Sequence, residues 1–249
     1  MCTLIILHRP GHDWPCLVAA NRDERVDRAW DPPRTWWDDA PGVTGGRDRS
    51  AGGTWMALGP AGVLAAVLNR PGSLGPEAGK RSRGELPLAA AGAATAHEAA
   101  SGIADLPATA WRPFNMVIAD RHAAFFLRGL GEGAIEAHPL PEGLSMVTAH
   151  DPNDPTSPRT RRHLPRFRAT PPPDPAAGDW DRWAGLLADS DFDPEIGPAE
   201  TLNVPPMGGF GTVCSSLLAL GRDGARHWLF CAGAPGTAPF RPLDLPPPA

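Results

Sequence analysis

A cysteine stands at position 2. Removal of Met1 would put its thiol and a free α-amine on one residue. An α-amine titrates near about 7.7 to 8.0 and a thiol near about 8.5, so the amine can act as general base for its own side chain. The thiolate is the nucleophile, and amide or ester cleavage through a thioester is the chemistry such a residue performs. The plainer reading is a small residue at a chain start. The other cysteines, Cys16, Cys214 and Cys231, bring the total to four. That is too sparse for a disulfide scaffold and lacks the paired spacings of a zinc site, so reduced thiols and no metal are expected.

Two groups of polar residues are candidates to assist it. Asn21-Arg22-Asp23-Glu24 directly follows the apolar run 16–20. If runs 3–7 and 16–20 pair across the Pro-Gly-His-Asp turn cluster, the quartet sits where the second strand leaves the sheet, close to Cys2. Arg22 would favour the thiolate by charge, and Asp23 would accept a hydrogen bond from the protonated α-amine. A solvated turn with surface ion pairs is the alternative. Asn69, ending the run 62–69, offers its amide as an oxyanion donor, or is simply held in the turn before Arg70-Pro71.

These residues need a sheet to position them. Strand-like runs are expected at 53–58, 62–69, 114–119, 123–127, 134–138 and 144–149, the last four as a meander. Residues 31–50 read as a loop draped by Trp30, Trp36 and Trp37. One helix is expected over 84–104 and a basic, largely solvated one over 157–169, short or broken at Pro165. Asp179 suits the N-cap of a helix carrying Trp180, Trp183, Ala184 and Leu187. Runs 211–220 and 226–232 flank the turn Gly221-Arg222-Asp223-Gly224. Strands with helices gathered in blocks indicate an α+β layered protein of two sheets between helices.

At 249 residues the chain is expected to be one domain, with residues 171–178 a surface connection and 243–249 a Pro-rich, frayed tail. Hydrophobic residues at 42% and charged residues at 20% describe a globular chain. The net charge of −5 gives no footprint for nucleic acid. The run Leu4-Ile5-Ile6-Leu7 is too short for a signal peptide or a membrane span, which points to the cytoplasm.

One string of motifs is more specific than its parts: Met1-Cys2 opening a strand, Ala19-Ala20-Asn21-Arg22-Asp23-Glu24, Gly52-Gly53-Thr54-Trp55, the strand to Asn69, Ser82-Arg83-Gly84, and Gly211-Thr212 opening an apolar strand. It resembles the NRDE family, also called the transport and Golgi organisation protein 2 family. The resemblance implies the four-layer αββα fold of N-terminal-nucleophile hydrolases, with two mostly antiparallel sheets. It implies Cys2, Arg22, Asp23 and Asn69 as catalytic residues, with Asn21 or Glu24 able to replace a neighbour in register. It also brings Arg83 and Thr212 into the set of binding residues. Trp55, with Trp36 or Trp37, would line an apolar pocket, although core is the expected fate of most of the nine tryptophans. His150 stands where Asn is expected, either as a polarising donor or as a strand-end histidine bonded to its turn, and Val213 stands where many members have Arg.

The implied activity is an N-terminal cysteine amidohydrolase acting on a small amide with an apolar acyl part. The alternative implied by the family is a non-catalytic haem or lipid (acyl-CoA) binding or trafficking protein using the same cleft. No cofactor is required in either case, haem entering only as a ligand, and no Cys-x-x-Cys-His run attaches it.

Overall fold

The computed structural model describes residues 2–247, which gather into two compact units. One comprises the chain up to Asp27 with Glu142–Leu243; the other is Arg28–Pro141 with the tail from Asp244.

The first unit is built on a hairpin of β1 (Thr3–His8) and β2 (Cys16–Arg25), registered from Thr3↔Asn21 to His8↔Cys16. On the far side of β2 runs β11 (Phe210–Leu220), followed by β12 (Arg226–Cys231) and β13 (Phe240–Pro242). On the far side of β1 runs β10 (Gly143–Val147), completing an antiparallel six-stranded sheet. Successive strand residues face opposite ways. Ile5, Leu7, Leu17, Ala19, Leu217 and Ala219 therefore share one face, and they pack on Leu164 and Phe167 of α3 (Pro158–Ala169) and Trp183 and Leu187 of α4 (Asp181–Leu187). The Phe167 and Trp183 rings meet edge to face at 5.5 Å, the geometry their quadrupoles favour.

The second unit is a seven-stranded antiparallel sheet in chain order: β3 (Trp30–Arg34), β4 (Thr44–Asp48), β5 (Met56–Leu58), β6 (Leu64–Asn69), β7 (Phe114–Ala119), β8 (Ala124–Gly129) and β9 (Glu136–Pro139). Helices α1 (Glu85–Ala91) and α2 (Ala96–Ala104) cover one face through Leu86, Ala90, Ala99 and Ile103, against Val63, Ala65, Met116 and Ile118. The protein is thus α+β, two antiparallel sheets each carrying a pair of helices.

Several sequence expectations are corrected. The polar quartet lies inside β2, which continues to Arg25, because β11 supplies partners for it as far as Arg25↔Phe210. Residues 31–50 contain β3 and β4. Pro32 and Pro33 are tolerated because β3 is the sheet's edge, where a missing N–H costs no ladder bond, and the register slips there. Ion pairs Arg47–Asp31 and Arg28–Asp48 lace the edge. The alanine-rich stretch is two helices: Thr95 caps the second by accepting from Glu98 N–H at 3.1 Å, and the Glu98 carboxylate accepts from Ala94 N–H. Of the four strands expected as a meander, β7, β8 and β9 are neighbours in order, but β10 lies in the other sheet beside β1. Asp179 pairs with Asp174 in an isolated bridge, leaving Trp180 as the N-cap of α4 without a side-chain bond. The helix at 158–169 is unbroken and half-sunk: Arg159, Thr160, His163, Leu164 and Phe167 are buried despite Pro165. Packing on the sheet outweighs the one backbone hydrogen bond that the proline removes. Of the nine tryptophans, Trp111, Trp180, Trp183 and Trp228 are core, whereas Trp14, Trp30, Trp36, Trp37 and Trp55 are only half-buried.

Candidate functional site

Cys2 lies one residue before the first rung of the β1–β2 ladder. By alternation its side chain shares a face with Leu4 and Ile6 of β1 and with Arg22 of β2, opposite the face that carries α3 and α4. Its thiol donates to the backbone oxygen of Asp23 at 3.5 Å. Burial, then the negative charge of Asp23, push the thiol above its ordinary value, while Arg22 pulls the other way. Arg22 is 5% exposed and pairs with Glu24 at 3.7 Å on the same face. Cys214, level with Arg22 on β11, is likewise driven up by burial and stays a thiol. Met1 lies outside the described residues, as do Pro248 and Ala249 of the tail.

The Asp23 side chain is fully buried and turned to the helix-facing side. One oxygen accepts from Arg159 Nη1 of α3 at 3.0 Å, the other from Thr212 Oγ1 at 2.6 Å. The same Arg159 nitrogen reaches Thr3 Oγ1 at 2.7 Å, and Thr212 Oγ1 accepts from Val204 N–H at 2.8 Å. What brings Thr212 onto Asp23 is a bulge. β11 pairs Thr212 with Asp23 and Cys214 with Arg22, so Val213 is the extra residue. In a regular strand Thr212 and Ser215, three residues apart, would face opposite sides; with Val213 bulged out both point at the helices.

Ser215 Oγ donates to Asn21 Oδ1, and Asn21 Nδ2 donates to Leu187 O and Leu202 O at 2.9 Å each. Asn21 is therefore a clamp holding α4 and the segment before β11 to β2, with its amide committed inward. Nearby, burial lowers His163 to about 4. Neutral, it donates from Nε2 to Glu200 O at 2.9 Å and accepts at Nδ1 from Arg166 at 3.1 Å. Glu200 in turn accepts from Arg162 at 3.0 Å. His150, after β10, is half-buried with its N–H on Thr148 Oγ1 at 3.3 Å.

The remaining sequence candidates belong to the second unit. Asn69 closes β6 opposite Phe114, half-buried, and its amide makes no hydrogen bond to another described residue. Arg83 is a strut, donating to Ser73 O, Ser73 Oγ and Pro113 O between 2.8 and 3.1 Å. Trp55 is half-buried, edge-on to Trp30 at 6.0 Å. Among the described residues no cluster of His, Cys, Asp or Glu is arranged to hold a metal ion, and no helix is long and apolar enough to cross a membrane.

The family model described as "Transport and Golgi organisation 2" matches residues 1–168, two thirds of the chain. The chain belongs to that family. It includes β1, β2, β10 and nearly all of α3, and so most of the buried network around Asp23. No curated protein matches by sequence. Among solved structures, the Caenorhabditis elegans N-acylethanolamine-hydrolyzing acid amidase ortholog is 13% identical with a TM-score of 0.56, over 87% of this chain and 92% of that one. A cysteine-to-alanine mutant of conjugated bile acid hydrolase from Clostridium perfringens is 13% identical with a TM-score of 0.55, over 98% and 92%. The fold is that of the N-terminal-nucleophile hydrolases.

Sequence reasoning missed Arg159. Its signal was the spacing of Arg159, His163 and Phe167, four residues apart, which puts the arginine on the same stripe as the helix's buried residues.

Proposed function

We propose that this chain is an N-terminal cysteine amidohydrolase acting on a small amide with an apolar acyl part, with Cys2 as nucleophile after removal of Met1. The observation that supports it best is the placement of Cys2 at the head of β1, its thiol on the Asp23 carbonyl and Arg22 on its face. In this reading the α-amine takes the thiol proton and the thiolate adds to the substrate carbonyl. The C–N bond breaks as the ammonium returns that proton to the departing amine, leaving a thioester. Water, deprotonated by the same amine, adds to the thioester; the C–S bond breaks, the acid departs and the thiol regains its proton. The substrate class follows the names of the two neighbours, which hydrolyse N-acylethanolamines and conjugated bile acids. Arg22 offsets part of the burial that opposes the thiolate.

A second reading has an observation in its favour: that same burial raises the thiol, as suits a non-catalytic carrier of haem or acyl-CoA. Intact mass before and after chloroacetamide separates the two. Loss of Met1 with pH-dependent labelling at Cys2, abolished in Cys2→Ala, is the enzyme's expected result. Retained Met1 or an inert Cys2 refutes it, and a haem or acyl-CoA titration then tests the carrier.

A further inference from the structure

Arg159 stands out as a charged side chain buried to 5% exposure, carried by a helix, with its guanidinium between the two strands that flank the cysteine. It donates to Thr3, the residue after Cys2, and to Asp23, whose backbone oxygen receives the Cys2 thiol. We infer that Arg159 is a positioning residue for Cys2, tying the start of β1 to Asp23 of β2 and offsetting the Asp23 charge beside the thiol. The inference rests on the reading of Cys2 as nucleophile.

Asp23 is met by Arg159 from α3 and Thr212 from β11, with Thr3 of β1 sharing the guanidinium. The thiol is faced by Arg22 and Glu24 on β2 and by Cys214 on β11. A fixed guanidinium does two things here. It gives a fully buried carboxylate an opposite charge, and it cancels a negative charge that opposes the thiolate.

The test is the pH dependence of Cys2 alkylation by chloroacetamide, read by peptide mass, in the full chain and its variants. Arg159→Gln is expected to raise the midpoint by about one pH unit, slowing labelling at pH 7 about tenfold. Arg159→Lys, which keeps the charge, is expected to return it to within about 0.3 of wild type. A role confined to stability would lower Tm in both variants without separating their midpoints. An unchanged or lowered midpoint in Arg159→Gln overturns the inference. Should that variant not fold, Asp23→Asn carries the test: its midpoint is expected to fall below wild type, and an unchanged one overturns the inference. A wild-type Cys2 that never labels below pH 10 sinks the nucleophile reading and this one together, whereas a labelled Cys2 indifferent to Arg159 sinks only this one.

Discussion

Lowering the pH should unfasten the first unit at His163 before its carboxylates titrate. This imidazole is fully buried, and burial holds it near 4 against 6.5 for a free histidine; Arg166 and Arg162 also oppose its protonation, while the Glu200 carbonyl and Asp189 favour it. The unfolded chain therefore binds a proton at this residue from 6.5 downward, and the native chain does not until about 4. Between those values the unfolded state is favoured as pH falls, so stability present above 6.5 is lost on acidification. At 1.36 kcal/mol per pH unit, the loss is about 2 kcal/mol by pH 5 and about 3 kcal/mol below pH 4. Urea unfolding of wild type and His163→Gln at pH 7 and pH 5 measures it. Glutamine keeps a donor for Glu200 O but cannot take the proton. Wild type should lose about 2 kcal/mol more than the variant between the two pH values. Equal losses would mean that the cavity around His163 admits the charged form, and the reasoning from burial fails.

Other outcomes follow from packing. Asn21→Ala leaves Leu187 O, Leu202 O and Ser215 Oγ without their partner; a loss of about 2 to 4 kcal/mol in urea unfolding is expected, with Cys2 labelling in the folded fraction unchanged. Trp183→Ala should cost about 3 to 5 kcal/mol, because the ring is fully buried against Phe167 between α4 and the sheet. In the second unit, a Cβ at Gly59 would sit 1.7 Å from Ala91 O, backbone against backbone at the end of α1. Gly59→Ala should therefore lower Tm sharply, by at least about 2 kcal/mol equivalent, whereas Gly62→Ser, with open space around it and only its positive φ to resist, should cost less.

Much of this was legible in the chain. Apolar runs at 3–7, 16–20, 62–69 and 211–220 placed the strands that follow Cys2 and carry the polar quartet, Asn69 and Thr212. What failed was any reading that needed the partner of a segment. The quartet looked like a strand end because polar residues in β2 have no local reason to be extended; β11, some 190 positions away, provides it. The run 144–149 reads as the fourth strand of a meander because adjacency in sequence favours adjacency in space, and only the pairing of β10 with β1 reveals otherwise. Arg159 looked solvated because arginine mostly is, and the carboxylate that draws it inward lies 136 residues earlier.

The quartet shows why types and order alone do not assign roles. Four polar residues in a row suggest four groups converging on the thiol, yet a strand divides them by parity. Arg22 and Glu24 stay with Cys2, while Asn21 and Asp23 turn to the helices. Asn21 spends its amide on holding α4 and the segment before β11. Asp23 remains relevant through its backbone oxygen, which receives the thiol, and through its charge, which reaches the thiol from the other face. The extra residue in β11 adds the last condition. Thr212 and Ser215 are three apart in sequence, so only with Val213 bulged out do both face the helices; pairing the intact chain without the bulge would turn one of them away and leave Asp23 or Asn21 short of one bond.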